Sequence, residues 1–244
     1  MKKLLKWGFI CTGIIIGGLI FFSFARSWKK TEIEFLIHIN EELVQQSVFG
    51  ESPTFAIWLE DSGQGLTHTV YVTRRAALGD WEGKKDVPNA LPMWFEIDKA
   101  EKRRKSHDAE IVRDEMAITG ATPVPGYFRT RVRVNPGSKW ICWIEVNLAG
   151  DFNDVYQEYN PETKTLDEYG TGQPALLYKV EVEVQKDRIV VPDIIGMCVF
   201  DKENQVVVVP LQGITTATGV FDEISIAVVR PKPRILEKPI IKIL

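Results

Sequence analysis

Apolar and polar residues alternate with a period of two along most of this chain, and few folds accept that pattern. Ile33, Phe35, Ile37 and Ile39 alternate with Glu32, Glu34, Leu36 and His38. Phe55, Ile57 and Leu59 alternate with Ala56, Trp58 and Glu60, and His68, Val70 and Val72 with Thr67, Thr69 and Tyr71. The same rhythm runs through Phe128–Val134, Trp140–Val146, Tyr178–Val184 and Ile224–Val228. Successive side chains of a strand point to opposite faces, so each stretch predicts a strand with one buried face. Arg188–Val191 and Gln205–Val209 are further strand candidates.

Turn residues separate these strands. Asp61-Ser62-Gly63-Gln64-Gly65 and Asn135-Pro136-Gly137-Ser138 predict hairpin loops, and Asn160-Pro161-Glu162-Thr163 a third turn. Many short strands with close turns predict an all-β antiparallel sandwich, and the lack of a strand–helix–strand repeat disfavours a parallel sheet. Two stretches break the pattern. Residues 75–93, with Gly79, Gly83, Pro88 and Pro92, read as a loop leading to Trp94. Residues 98–116, basic from Lys99 to Lys105 and then acidic, read as a short helix or an insert with a solvated face.

The amino end is different. Trp7 to Ala25 holds no charged residue, and a helix of about 19 residues approaches the thickness of a bilayer core. Lys2, Lys3 and Lys6 precede it, which predicts a cytoplasmic N-terminus and an extracytoplasmic remainder. The length argues for an uncleaved signal-anchor. Ser23 and Ala25 also suit a signal peptidase, so cleavage after Ala25 stays open. The expected organisation is residues 1–25 as anchor or signal peptide, 26–50 as linker and first strand, 51–230 as the sandwich, and 231–244 as a C-terminal extension. Pro231-Lys232-Pro233 opens that extension, and a last strand is expected near Ile240-Ile241.

The full chain of 244 residues carries a net charge of −3. Past residue 25 it has 27 basic residues against 33 acidic ones. Phosphate contacts need a Lys/Arg excess, so a nucleic-acid partner is excluded. The exported part keeps Cys142 and Cys198, each in an apolar stretch, which fits buried thiols as well as a pair.

Chemistry-bearing motifs are sparse. Gly63 and Gly65 lack the third glycine and the helix of a dinucleotide fingerprint. His38, His68 and His107 are far apart, and nothing local joins them to a serine and an acid. Asp151, Asn153 and Asp154, with Glu158 and Glu162 beyond, crowd oxygen atoms near Gly150 without a calcium-loop spacing, and read as a solvated acidic loop. Trp140 and Trp143 differ in parity, which assigns one to the core and one to the surface or an interface. No catalytic residue and no metal ligand is expected.

One stretch is more specific. Ile118-Thr119-Gly120-Ala121-Thr122-Pro123-Val124-Pro125-Gly126 resembles the bacterial family called domain of unknown function 2271. Ala56-Ile57-Trp58-Leu59-Glu60-Asp61, Thr69-Val70-Tyr71-Val72, Trp94, Ile144-Glu145-Val146-Asn147 and Gly172-Gln173-Pro174-Ala175-Leu176-Leu177-Tyr178 follow that family in order. The resemblance covers about residues 52–185 or further, toward 230. It implies an exported immunoglobulin-like module, so the expected fold is an immunoglobulin-like antiparallel sandwich behind one N-terminal membrane or signal helix.

Thr119-Gly120-Ala121-Thr122 also resembles the end of the motif at which FMN is attached covalently to exported proteins, which would place the flavin on Thr122. The acid of that motif, three residues before its first Thr, is Met116 here. The alternative is that Gly120, Pro123, Pro125 and Gly126 shape a tight entry into the strand at Phe128. The sequence thus points to a membrane-tethered envelope module that binds or assembles without catalysis. Its membrane contact is through residues 7–25, an envelope protein is the expected partner, and loops 75–93 and 98–116 are the expected docking sites. The alternative is an envelope redox protein carrying FMN on Thr122.

Overall fold

A computed structural model describes residues 17–18, 31–78, 90–107, 118–120, 122–185 and 187–230. Apart from Gly17 and Gly18, the apolar run 7–25 lies outside the described residues, as do Met116 and the C-terminal extension 231–244. Among the described residues no helix is long and apolar enough to cross a membrane.

The protein is mostly antiparallel β-sheet, 45% strand against 17% helix, as the alternation predicts. One sheet has four strands, in the order β10 (Ile189–Val190), β13 (Phe221–Val229), β1 (Thr31–Ile39), β5 (Gly126–Val134). The other has seven: β12 (Val206–Val209), β11 (Asp193–Phe200), β9 (Ala175–Glu183), β6 (Lys139–Asn147), β2 (Thr54–Asp61), β3 (Thr67–Thr73), β4 (Ile118–Gly120). A small hairpin of β7 (Tyr159–Asn160) and β8 (Thr165–Leu166) stands on the excursion between β6 and β9. The sequence rhythm does not single out β11, because Asp193-Ile194-Ile195-Gly196-Met197 has no clean alternation and carries a bulge between Ile194 and Gly196.

The two sheets face each other through the expected residues. Ile33, Phe35, Ile37 and Ile39 of β1 share one buried cluster with Phe55, Ile57, Leu59, Cys142, Ile144 and Val146 of the opposing sheet. The ring of Phe55 anchors it, with ring centres of Tyr71, Phe128 and Phe221 at 5.1, 5.2 and 5.3 Å. Each such side chain contributes about 1.5–3 kcal/mol of burial free energy.

The seven-stranded sheet is buried on its other face as well. Helix α3 (Pro92–His107) lies over it and packs Leu91 and Trp94 against Ala56, Trp58, Val72, Ala175, Leu177 and Cys198. Two shorter helices, α1 (Glu41–Gln46) and α2 (Arg74–Leu78), follow β1 and β3. The expected loop 75–93 is therefore helical to Leu78 and again from Pro92 on, and residues 79–89 lie outside the described residues. Proline suits the first turn, where no intrahelical N–H bond is lost, and Leu91, Trp94 and Ile97 recur at helical spacing. Double-sided burial also explains why β2 is buried at six consecutive positions instead of alternating.

Helix α3 has a topological consequence. It lies on the connection between β3 and β4, which pair in parallel, Tyr71 with Ile118 and Thr73 with Gly120. A parallel pair requires a long crossover, and the α3 segment supplies it. The second expected hairpin is a different connection. Asn135–Ser138 turns the chain from β5, paired with β1, into β6, paired with β2, so it crosses between sheets.

Both ends of the described sandwich meet at one pole. Glu32 pairs with Val229 and Thr31 with Val134. At the far end of β1, Ile39 pairs with Phe221 and Gly126. The segments 40–53, 148–174 and 210–220 gather at this second pole.

Candidate functional site

The far pole is built on a buried polar knot. Asp151 and Gln173 come from the two ends of the excursion between β6 and β9, and Thr216 from the turn before β13. Gln173 Nε2 donates to Asp151 Oδ2 at 2.8 Å and to Thr216 Oγ1 at 2.7 Å, and Thr216 Oγ1 donates to Asp151 Oδ1 at 2.6 Å. The Thr215 N–H donates to Gln173 Oε1 at 2.7 Å, and Asn147 Nδ2 to the Gln173 carbonyl at 2.8 Å. Burial raises the Asp151 carboxyl above its ordinary value, against the lowering pull of Thr216 and Gln173. Gly172 makes the knot possible: at φ +68° a Cβ there would stand 2.7 Å from the Asp151 carbonyl oxygen.

The expected solvated acidic loop is thus corrected at its first member. Asp151 is 9% exposed and bonded on both oxygens. Asn153 accepts the N–H groups of Val155 and Tyr156 and reaches the Gly213 carbonyl, so it shapes the loop. Asp154, Glu158 and Glu162 are exposed. Among the described residues no group of three His, Cys, Asp or Glu side chains is placed to hold a metal.

Around the knot several large apolar side chains reach the surface. Val48, Phe49, Val155 and Leu211 are exposed, with Tyr159 and Leu166 on the β7–β8 hairpin. Phe49 packs on two glycines with positive φ: a Cβ at Gly150 or Gly170 would meet its ring at 2.8 or 2.6 Å. Val155 sits on Gly213 in the same way, 2.8 Å from where a Cβ would stand.

The other candidates are structural or lie apart from one another. Glu145, outward-facing on β6, is fully buried beneath α3. It accepts the Met93 N–H at 3.0 Å and the Trp94 N–H at 2.7 Å, two donors that the first turn of a helix leaves unpaired. Burial pushes its carboxyl up to about 7, opposed by those two bonds and by the Cys198 thiol. Beside it Trp58 stacks on Trp143 at 6.1 Å, Trp143 Nε1 donates to Glu60 at 2.8 Å, and Trp94 Nε1 donates to Thr69 at 3.3 Å. Trp143 and Trp140 are both half-buried, against opposite faces of the sheet. Sequence alternation placed Glu145 in solvent; the helical spacing of Leu91, Trp94 and Ile97 was the signal that could have covered it.

His38 hydrogen-bonds Asp222 at 2.6 Å and its ring lies 4.6 Å from that of Tyr127, whose hydroxyl donates to Glu223. That bond raises the Tyr127 phenol. The ring of His68 on β3 lies 6.0 Å from that of Trp140 on β6, and His107 ends α3, so the three histidines do not assemble. Cys142 and Cys198 are buried free thiols in the two separate clusters, on opposite faces of one sheet, and do not pair. Burial raises both.

Thr122 lies two residues past the end of β4 and is half-buried. The neighbouring Gly120 is held in register with Thr73, and Gly126 enters β5 at φ +110°. These features fit the strand-entry reading. The acid of the flavin motif is replaced by Met116, so the residues do not fit covalent FMN. Comparison with family models, curated proteins and solved structures finds no match to this chain.

Proposed function

We propose that this protein is a membrane-tethered module of the cell envelope that binds or assembles and performs no catalysis of its own. The observation that carries the reading is the pairing of Glu32 with Val229. It brings the start of the sandwich, a few residues after the apolar run 7–25, to one pole. The exposed apolar side chains Val48, Phe49, Val155 and Leu211 stand at the other. A tether at residue 26 then holds the apolar pole away from the membrane, where a partner reaches it. This site differs from the expected segments 75–93 and 98–116, of which residues 79–89 and 108–116 lie outside the described residues. The two packed sheets support an immunoglobulin-like relationship to the exported family that the segment Ile118–Gly126 resembles.

The test is fractionation of cells expressing the full chain. The protein should stay with membranes through alkaline carbonate extraction, and external protease should reach the sandwich only after the outer barrier is opened. Release by carbonate at the full-length mass would overturn the tether.

A further inference from the structure

Contiguous exposed apolar side chains mark interaction surfaces, and aromatic anchors held in place dominate binding. Phe49 has that character. It is 44% exposed, yet one side of its ring is seated against Gly150 and Gly170, both at positive φ, where any Cβ would collide with it. Val155, 58% exposed, is seated in the same manner on Gly213. Two exposed side chains on glycine seats are preorganised for contact, since little rotamer freedom remains to be lost on binding.

The charge around them is mostly negative, with the exposed Arg74 and Arg75 of α2 to one side. Segments 40–53, 148–174 and 210–220 contain nine Asp or Glu residues and a single cation, Lys164. Some acids are committed: Asp151 to the knot, Asp167 to the Gly172 and Tyr169 N–H groups, Glu51 to Arg75. Asp154, Glu158 and Glu162 remain exposed beside Val155 and the β7–β8 hairpin. An acidic rim around apolar anchors repels anionic lipid and nucleic acid and attracts cationic polypeptide.

We propose that the pole formed by segments 40–53, 148–174 and 210–220 docks a basic polypeptide segment bearing apolar side chains, with Phe49 as its central contact. This deepens the binding-module reading and rests on it. Lys and Arg of the partner meet Asp154, Glu158 and Glu162, and its apolar side chains cover Phe49, Val155 and Leu211.

The experiment uses the full chain in nanodiscs of zwitterionic lipid, with empty nanodiscs as blank, and a fluorescent peptide alternating Lys and Leu. Anisotropy should show saturable binding that weakens with added salt, while a peptide alternating Glu and Leu should not bind. Phe49→Ala should weaken binding about tenfold or more. The pair Glu158→Lys and Glu162→Lys should do the same with an unchanged thermal midpoint. Leu211→Ser supplies a second apolar reading should Phe49→Ala loosen its loop. No binding, equal binding of both peptides, or binding indifferent to both Phe49→Ala and Leu211→Ser would overturn the proposal. So would binding of vesicles containing anionic lipid that is abolished by Phe49→Ala. Carbonate extraction is read separately, so loss of the tether and loss of peptide binding are distinguishable.

Discussion

Glu145 and Trp94 are 51 residues apart, and the 2.7 Å bond from the Trp94 N–H to the Glu145 carboxylate joins the central sheet to the helix that covers it. With the Met93 bond it serves as an N-terminal cap supplied from another element. Glu145→Ala leaves two buried donors unpaired and should cost about 2–3 kcal/mol. Glu145→Gln keeps one acceptor and should cost less. Urea unfolding of both variants checks the order.

The same carboxyl makes stability depend on pH. Its value in the folded state is about 7, above the 4.5 of an unburied Glu. The folded state therefore holds the proton more tightly, and this group's contribution to stability grows as pH falls from about 7 to 4.5 and is level below that. Thermal midpoints of wild type minus those of Glu145→Gln should rise across this window. A flat difference would refute the assignment.

On the outer face of the four-stranded sheet, Glu32 accepts from Arg133 at 2.9 Å and Glu34 from Arg131 at 2.5 Å. The side chain of Glu32 is only 8% exposed, whereas that of Arg129, 3.8 Å from Glu34, is 55% exposed. Arg133→Ala should cost about 1–3 kcal/mol by stranding a buried carboxylate. Arg129→Ala should cost under about 0.5 kcal/mol, as exposed pairs do. Chemical denaturation of the two single variants separates them.

The polar knot gives a further contrast. Thr216→Val keeps the shape and deletes the hydroxyl shared by Asp151 and Gln173, for a cost of about 1–3 kcal/mol. Gly172→Ala meets both the positive φ and the Asp151 backbone, and should be at least as damaging. Hydrogen exchange should report faster opening of segment 148–174 in both.

The strands were legible because their inner faces obey a local rule. Ile33, Phe35, Ile37 and Ile39 state their burial within nine residues of sequence. Glu145, Asp151 and Gln173 did not, since each is buried by residues at least 22 positions away. A carboxylate looks solvated until its cover is known. For Glu145, helix α3 supplied that cover and was itself obscured in the sequence by the charged run Lys99 to Lys105. The candidate site was the least legible part: Phe49 is a single aromatic after a short helix, and its seat on Gly150 and Gly170 exists only in three dimensions.

Strand β1 begins at the pole where Glu32 pairs with Val229, ends at the pole proposed for docking, and is hydrogen-bonded to β13 and β5 along its length. A load between membrane and partner would run along this strand. Its cross-strand bonds lie perpendicular to that axis and would be strained together in shear rather than peeled one by one. Under the proposed tether and docking, β1 would be the tendon of the molecule.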